Sequence, residues 1–78
     1  MSYHAYMARK LRARDFGGRL KTWRLSKDLT QEQAAKILDV AVQQLSRWET
    51  GANKPGIERC EEIANEIGVT AAYLAYGQ

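Results

Sequence analysis

The stretch Leu29-Thr30-Gln31-Glu32-Gln33-Ala34-Ala35-Lys36-Ile37-Leu38-Asp39-Val40-Ala41-Val42-Gln43-Gln44-Leu45-Ser46-Arg47-Trp48-Glu49-Thr50-Gly51 decides the fold. It holds two helical patterns with a tight turn between them. Thr30 and Gln33 stand at capping-box spacing: the Thr hydroxyl accepts from the backbone N–H at Gln33, and the Gln33 side chain reaches back to the N–H of Thr30. Leu29, just before the cap, is placed for a hydrophobic staple. This helix is expected to run to about Leu38, burying Ala34, Ala35 and Leu38, small residues that let a neighbouring helix come close. Asp39 ends it, since Asp is among the few residues other than Gly that tolerate the left-handed conformation of a helix stop. Val40 is expected to be buried in the turn. The next helix spans Val42 to Thr50, with Leu45 and Trp48 inward, and Gly51 stops it.

Outward from this pair the helical period continues, and alternating strand patterns are absent. A helix over Gly18 to Ser26 precedes it, with Leu20 and Trp23 on its apolar face and Phe16 extending that face. It stops in the Lys27-Asp28 turn. Asn53-Lys54-Pro55-Gly56 reads as a loop. A helix over Ile57 to Ile67 follows, with Cys60, Ile63, Ala64 and Ile67 on one face, closed by Gly68. Thr70 then caps a short last helix carrying Tyr73, Leu74 and Tyr76. The expectation is an all-α fold of five short helices on one core, residues 18–78, preceded by a basic arm or extra helix at residues 1–17. The only joint-like segment is Phe16-Gly17-Gly18.

Composition narrows the function classes. With 78 residues, 45% hydrophobic and 27% charged, the chain is one small globular domain. A single Cys makes no internal disulfide, so a disulfide-stapled secreted scaffold is excluded. No apolar stretch approaches the roughly 20 residues of a membrane span and no signal peptide is visible, so the expected address is the cytoplasm, without membrane partners. One Cys and one His form neither a metal-ligand cluster nor a nucleophile pair, and no phosphate loop is present. An enzyme is not expected, nor a cofactor or metal. The net charge of +3 is unevenly spread. Residues 18–54 hold seven basic against four acidic side chains, while residues 55–78 hold Arg59 against Glu58, Glu61, Glu62 and Glu66. One surface is therefore suited to a polyanion and another is not.

Two short helices joined by a tight turn form the helix-turn-helix arrangement, whose second helix enters the DNA major groove. With Leu45 and Trp48 inward, the opposite face shows Gln43, Gln44, Ser46 and Arg47, with Val42 at its tip. Gln pairs bidentately with adenine, Arg with guanine, and Val touches a thymine methyl. The same residues also suit an ordinary solvated helix face.

The run from Leu29 through Val40 to Leu45-Ser46-Arg47-Trp48-Glu49-Thr50-Gly51, the following Pro55, and the tail Ile63-Ala64, Ile67-Gly68-Val69 and Tyr73-Leu74 together resemble the phage-repressor-like (Xre or Cro/CI type) helix-turn-helix family. The resemblance covers residues 18 to 77 and implies a five-helix, lambda-repressor-like DNA-binding domain. It implies that Val42, Gln43, Gln44, Ser46 and Arg47 read bases and that Gln31, Asn53 and Lys54 meet phosphates. Gln31 stands at a helix N-terminus, which favours anions. It also implies a structural ion pair of Arg24 with Glu49, and a dimer surface at Tyr73, Leu74 and Tyr76. Asp39 and Ala41 depart from the family pattern, which has Gly in the turn and Ser or Thr capping the recognition helix.

The expected function is a transcription regulator, a repressor that binds an inverted-repeat operator as a homodimer. Two alternatives stay open: the antitoxin of a toxin–antitoxin pair, with the toxin as protein partner, and the controller of a restriction-modification operon. The first residues carry Tyr3, Met7 and Leu11 at helical spacing beside Arg9, Lys10, Arg12 and Arg14. They read as a DNA-contacting arm, as an amphipathic helix packing on the domain, a partner or a membrane surface, or as an unstructured end. Trp23, Trp48 and Cys60 read as core residues.

Overall fold

A computed structural model of the chain describes residues 15–77. Five helices follow in order: α1 Phe16–Ser26, α2 Gln31–Leu38, α3 Val42–Thr50, α4 Ile57–Ile67 and α5 Ala71–Tyr76. No strand occurs among the described residues.

Helix α1 begins at Phe16, two residues before the expected Gly18, because Asp15 supplies the cap: its carboxylate accepts from the Gly18 N–H at 2.7 Å. Phe16-Gly17-Gly18 is thus the first helical turn and not a joint. Phe16 is buried, its ring edge-on to that of Trp48 with centroids 6.1 Å apart. Gly17 faces the α3 backbone so closely that a side chain there would strike the Trp48 carbonyl oxygen.

The capping box of α2 is formed in both directions, Gln33 N–H to Thr30 Oγ1 at 3.1 Å and Thr30 N–H to Gln33 Oε1 at 2.8 Å. Asp39 closes the helix in the left-handed region, at φ 57° and ψ 48°. Val40, half-buried, packs on the core from the turn. Ala41 starts α3 with no side-chain cap, and Gly51 ends it at φ 82°. The Thr70 hydroxyl caps α5 by accepting from the Tyr73 N–H at 3.0 Å.

Leu20, Leu45, Ile63 and Leu74, one each from α1, α3, α4 and α5, are fully buried, and α2 adds Ala34, Ala35 and Leu38. Trp48 and Cys60 are in this core, with Trp23 partly buried against it. Leu74 therefore belongs to the interior of its own chain and is not a surface residue of α5, as the dimer expectation had it. The reason is helical phase: Leu74, flanked by the partly buried Ala71 and Ala75, faces the core, leaving Tyr73 and Tyr76 outside.

Two arginines brace the bundle in ways their charge does not announce. Arg19 is buried and donates through Nε to the Leu74 carbonyl at 2.8 Å and through Nη2 to that of Ala75 at 2.9 Å. It thereby satisfies carbonyls at the C-terminal end of α5, which has no basic residue of its own in its last turn. Arg59 donates to the carbonyl of Leu38, the last residue of α2, at 2.6 Å, while its guanidinium lies 5.9 Å from the Trp48 ring centre. Helix α4 thus holds the turn between α2 and α3.

Candidate nucleic-acid interface

The recognition helix is presented by packing on both sides. Leu45 and Trp48 anchor α3 to the core, α1 and α2 pack against it, and the remaining face points out. Gln43 and Arg47, one helical turn apart, are exposed, and neither side chain is engaged by another described residue. Ser46 is half-buried beside them. Val42 is half-buried too, and it packs partly on the core. Gln44 leans to the far end: its amide donates to the Asn53 side-chain oxygen at 3.0 Å, joining the recognition helix to the loop that follows it.

The charge on this face is one-signed because α3's acid is turned inward. Glu49 points at α1, where its two oxygens take Nε and Nη2 of Arg24 at 2.7 and 3.0 Å. The Glu49 side chain is only 2% exposed, so the outer face of α3 keeps Arg47 as its sole charge. Gln31, at the start of α2, is half-buried, and its amide donates to the same Glu49 carboxylate at 3.1 Å. Asn53 and Lys54 are exposed in the loop after α3. The structure thus brings together the α3 face, the first residue of α2 and the following loop.

Tyr73 and Tyr76 stand on α5, 36% and 68% exposed. Arg9, Lys10, Arg12 and Arg14, and the Tyr3, Met7 and Leu11 stripe, lie outside the described residues. Lys54 also edges a groove of about 210 Å³ with Phe16, Pro55, Ile57, Cys60, Ala75 and Tyr76. That volume is below the roughly 300 Å³ at which small-molecule pockets usually begin. Sequence reasoning missed the Gln44–Asn53 and Gln31–Glu49 bonds and the clamp by Arg59. Each joins residues from different elements, and no local pattern announces such a pairing.

A helix-turn-helix family profile matches residues 20–74, most of the chain. The chain belongs to the phage-repressor-like helix-turn-helix family. Within that family it is similar to the HTH-type transcriptional activator BcrR of Enterococcus faecalis, 36% identical over 64 residues that cover 82% of this chain and 31% of that protein. It is also similar to YonR of Bacillus subtilis (strain 168), described as an SPbeta prophage-derived uncharacterized HTH-type transcriptional regulator, at 32% identity over 62 residues covering 80% of this chain and 57% of that one. The chain therefore spans about a third of the first relative and just over half of the second. No solved structure matches with comparable significance.

Proposed function

We propose that this chain is a sequence-specific transcription regulator that binds double-stranded DNA with α3 in the major groove. The observation that carries this reading is the outer face of α3. It presents the free amide of Gln43 and the free guanidinium of Arg47 one turn apart, with no exposed carboxylate on the helix. The amide, donating to N7 and accepting from N6, matches an adenine edge, and the guanidinium donates to a guanine edge, on a helix whose only acid is buried and paired. Ser46, Val42 and Gln44 complete the base-reading set, while Gln31, Asn53 and Lys54 meet the phosphates on either side. Family membership and two relatives named as transcriptional regulators support the same reading.

A helix this short reads only a few base pairs. The protein therefore acts as a homodimer, joined through the exposed side of α5 at Tyr73 and Tyr76. It occupies an inverted repeat with half-sites about 10–10.5 bp apart and represses by occluding the promoter. The E. faecalis relative is named an activator, which makes activation from the same contact the second reading. A promoter reporter decides between them by the sign of its response.

The interface itself is tested by titrating the isotope-labelled protein with duplex DNA and following its amide resonances. Shifts are expected at residues 42–47, around Gln31 and in the loop at 52–54. Shifts confined to α4 and α5 would contradict the proposal.

A further inference from the structure

The Glu49 carboxylate serves three groups from two other elements. Oε2 takes Nε of Arg24, and Oε1 takes both Nη2 of Arg24 and Nε2 of Gln31. Arg24 also donates from Nη1 to the carbonyl of Leu29 at 2.9 Å, fixing the chain just ahead of the α2 cap. The same ion pair therefore sets both where α2 begins and what the first side chain of α2 faces.

An exposed glutamine amide turns over at little cost, exchanging its donor end for its acceptor end. Beside a carboxylate it does not: Nε2–H is attracted to Oε1, and the carbonyl oxygen in that position would face a full negative charge. One of the two Nε2 hydrogens is thereby spent on Glu49, and the other is the remaining side-chain donor of Gln31. An uncompensated carboxylate so near would repel a phosphate, and burial would strengthen the repulsion. Arg24 neutralises it, leaving a neutral cluster in which the second Nε2–H of Gln31 has no partner among the described residues.

We propose that Glu49 is a positioning residue for the DNA backbone contact: held by Arg24, it turns the Gln31 amide so that its second Nε2–H meets a phosphate at the N-terminus of α2. This rests on the reading of Gln31 as a phosphate contact, and it gives the buried ion pair a part in binding as well as in folding.

Two measurements test it. In the full chain without DNA, the side-chain amide protons of Gln31 should be held apart from those of the exposed Gln43, one shifted by its bond to Glu49 and both slow to interchange. Gln31 amide protons indistinguishable from those of Gln43 would overturn the proposal, and this result needs no variant to fold. The second is a double-mutant cycle on a duplex obtained by selection, using Gln31→Ala, Glu49→Gln and the pair, each checked for helicity. Glu49→Gln and Gln31→Ala should each weaken binding about three- to tenfold, and the pair should be no weaker than the poorer single variant. Losses that multiply would make Glu49 a folding residue only and overturn the proposal. If the native chain retained no duplex at all, the phosphate reading would fall and this inference with it, whatever the resonances of Gln31 show.

Discussion

Gly17→Ala isolates the junction of α1 with α3, and its sign is informative. In the body of a helix Ala is favoured over Gly by about 1 kcal/mol, so an unhindered replacement would stabilise α1. Here the new methyl would overlap the Trp48 carbonyl oxygen and come within 3.0 Å of that of Glu49. Both obstacles are backbone atoms, so no side chain can swing away and the two helices must separate. Overpacking of this kind costs about 1–3 kcal/mol. Separation also loosens the Phe16–Trp48 edge contact, and aromatic pairs contribute about 0.5–1.5 kcal/mol. Against a gain of about 1 kcal/mol, the net loss is about 0.5–3.5 kcal/mol, or about 2–28 °C in Tm for a domain of this size. Thermal and urea unfolding followed by circular dichroism measures it. Gly56→Ala serves as the control, because nothing lies within 4 Å of a methyl there, and it should cost less than about 1 kcal/mol. A Gly17→Ala protein as stable as the native one would refute the packing of α1 on α3.

Three further expectations concern the site and its supports. Ala41→Ser adds a hydroxyl where α3 starts without a side-chain cap and should stabilise by about 0.5–2 kcal/mol; urea unfolding that shows no gain would contradict the cap geometry. Arg47→Ala should cost about 1–3 kcal/mol on the selected duplex and relax one base position, whereas Lys54→Ala should weaken all duplexes alike; equal losses for Arg47→Ala on selected and random DNA would remove Arg47 from the base readers. Burial and then the neighbouring Glu61 charge raise the Cys60 thiol above its usual 9.0, with Arg19 opposing. The folded state thus favours the protonated thiol, so the stability it contributes is present below the ordinary thiol range and is lost as pH rises through the raised value. Alkylation near pH 8 should accordingly be much faster in urea than in the native protein, and equal rates would contradict the burial.

Most of this fold is legible along the chain because its signals are local. The Thr30–Gln33 box, Asp39 in the left-handed turn, Gly51 and Gly68 as stops, and Thr70 as a cap each act within four residues, and the helices end where those residues stand. The sequence alone puts the start of α1 two residues late because Gly17 and Gly18 look like a break; what makes them helical is the Asp15 cap and the close approach of α3. The inward position of Leu74 is hidden from the sequence for a related reason. In a six-residue helix the apolar pattern is too short to show which side faces the core. Arg19 and Arg59 count as ordinary surface charges until their acceptors, the carbonyls at the ends of α5 and α2, are in place. On the interface, the type of each side chain and its helical phase point to Gln43 and Arg47 as outward groups. The bonds of Gln31 to Glu49 and of Gln44 to Asn53 depend on how the elements meet.

If α3 reads duplex sequence, the purified protein must choose among duplexes. Selection from a randomised duplex library with the purified protein at moderate salt, followed by sequencing of the bound fraction, tests it most directly. Enrichment of an inverted repeat whose half-sites lie about 10–10.5 bp apart is expected, with the preference at one defined position lost on Arg47→Ala. Folded protein that retains no sequence above the starting library would contradict it.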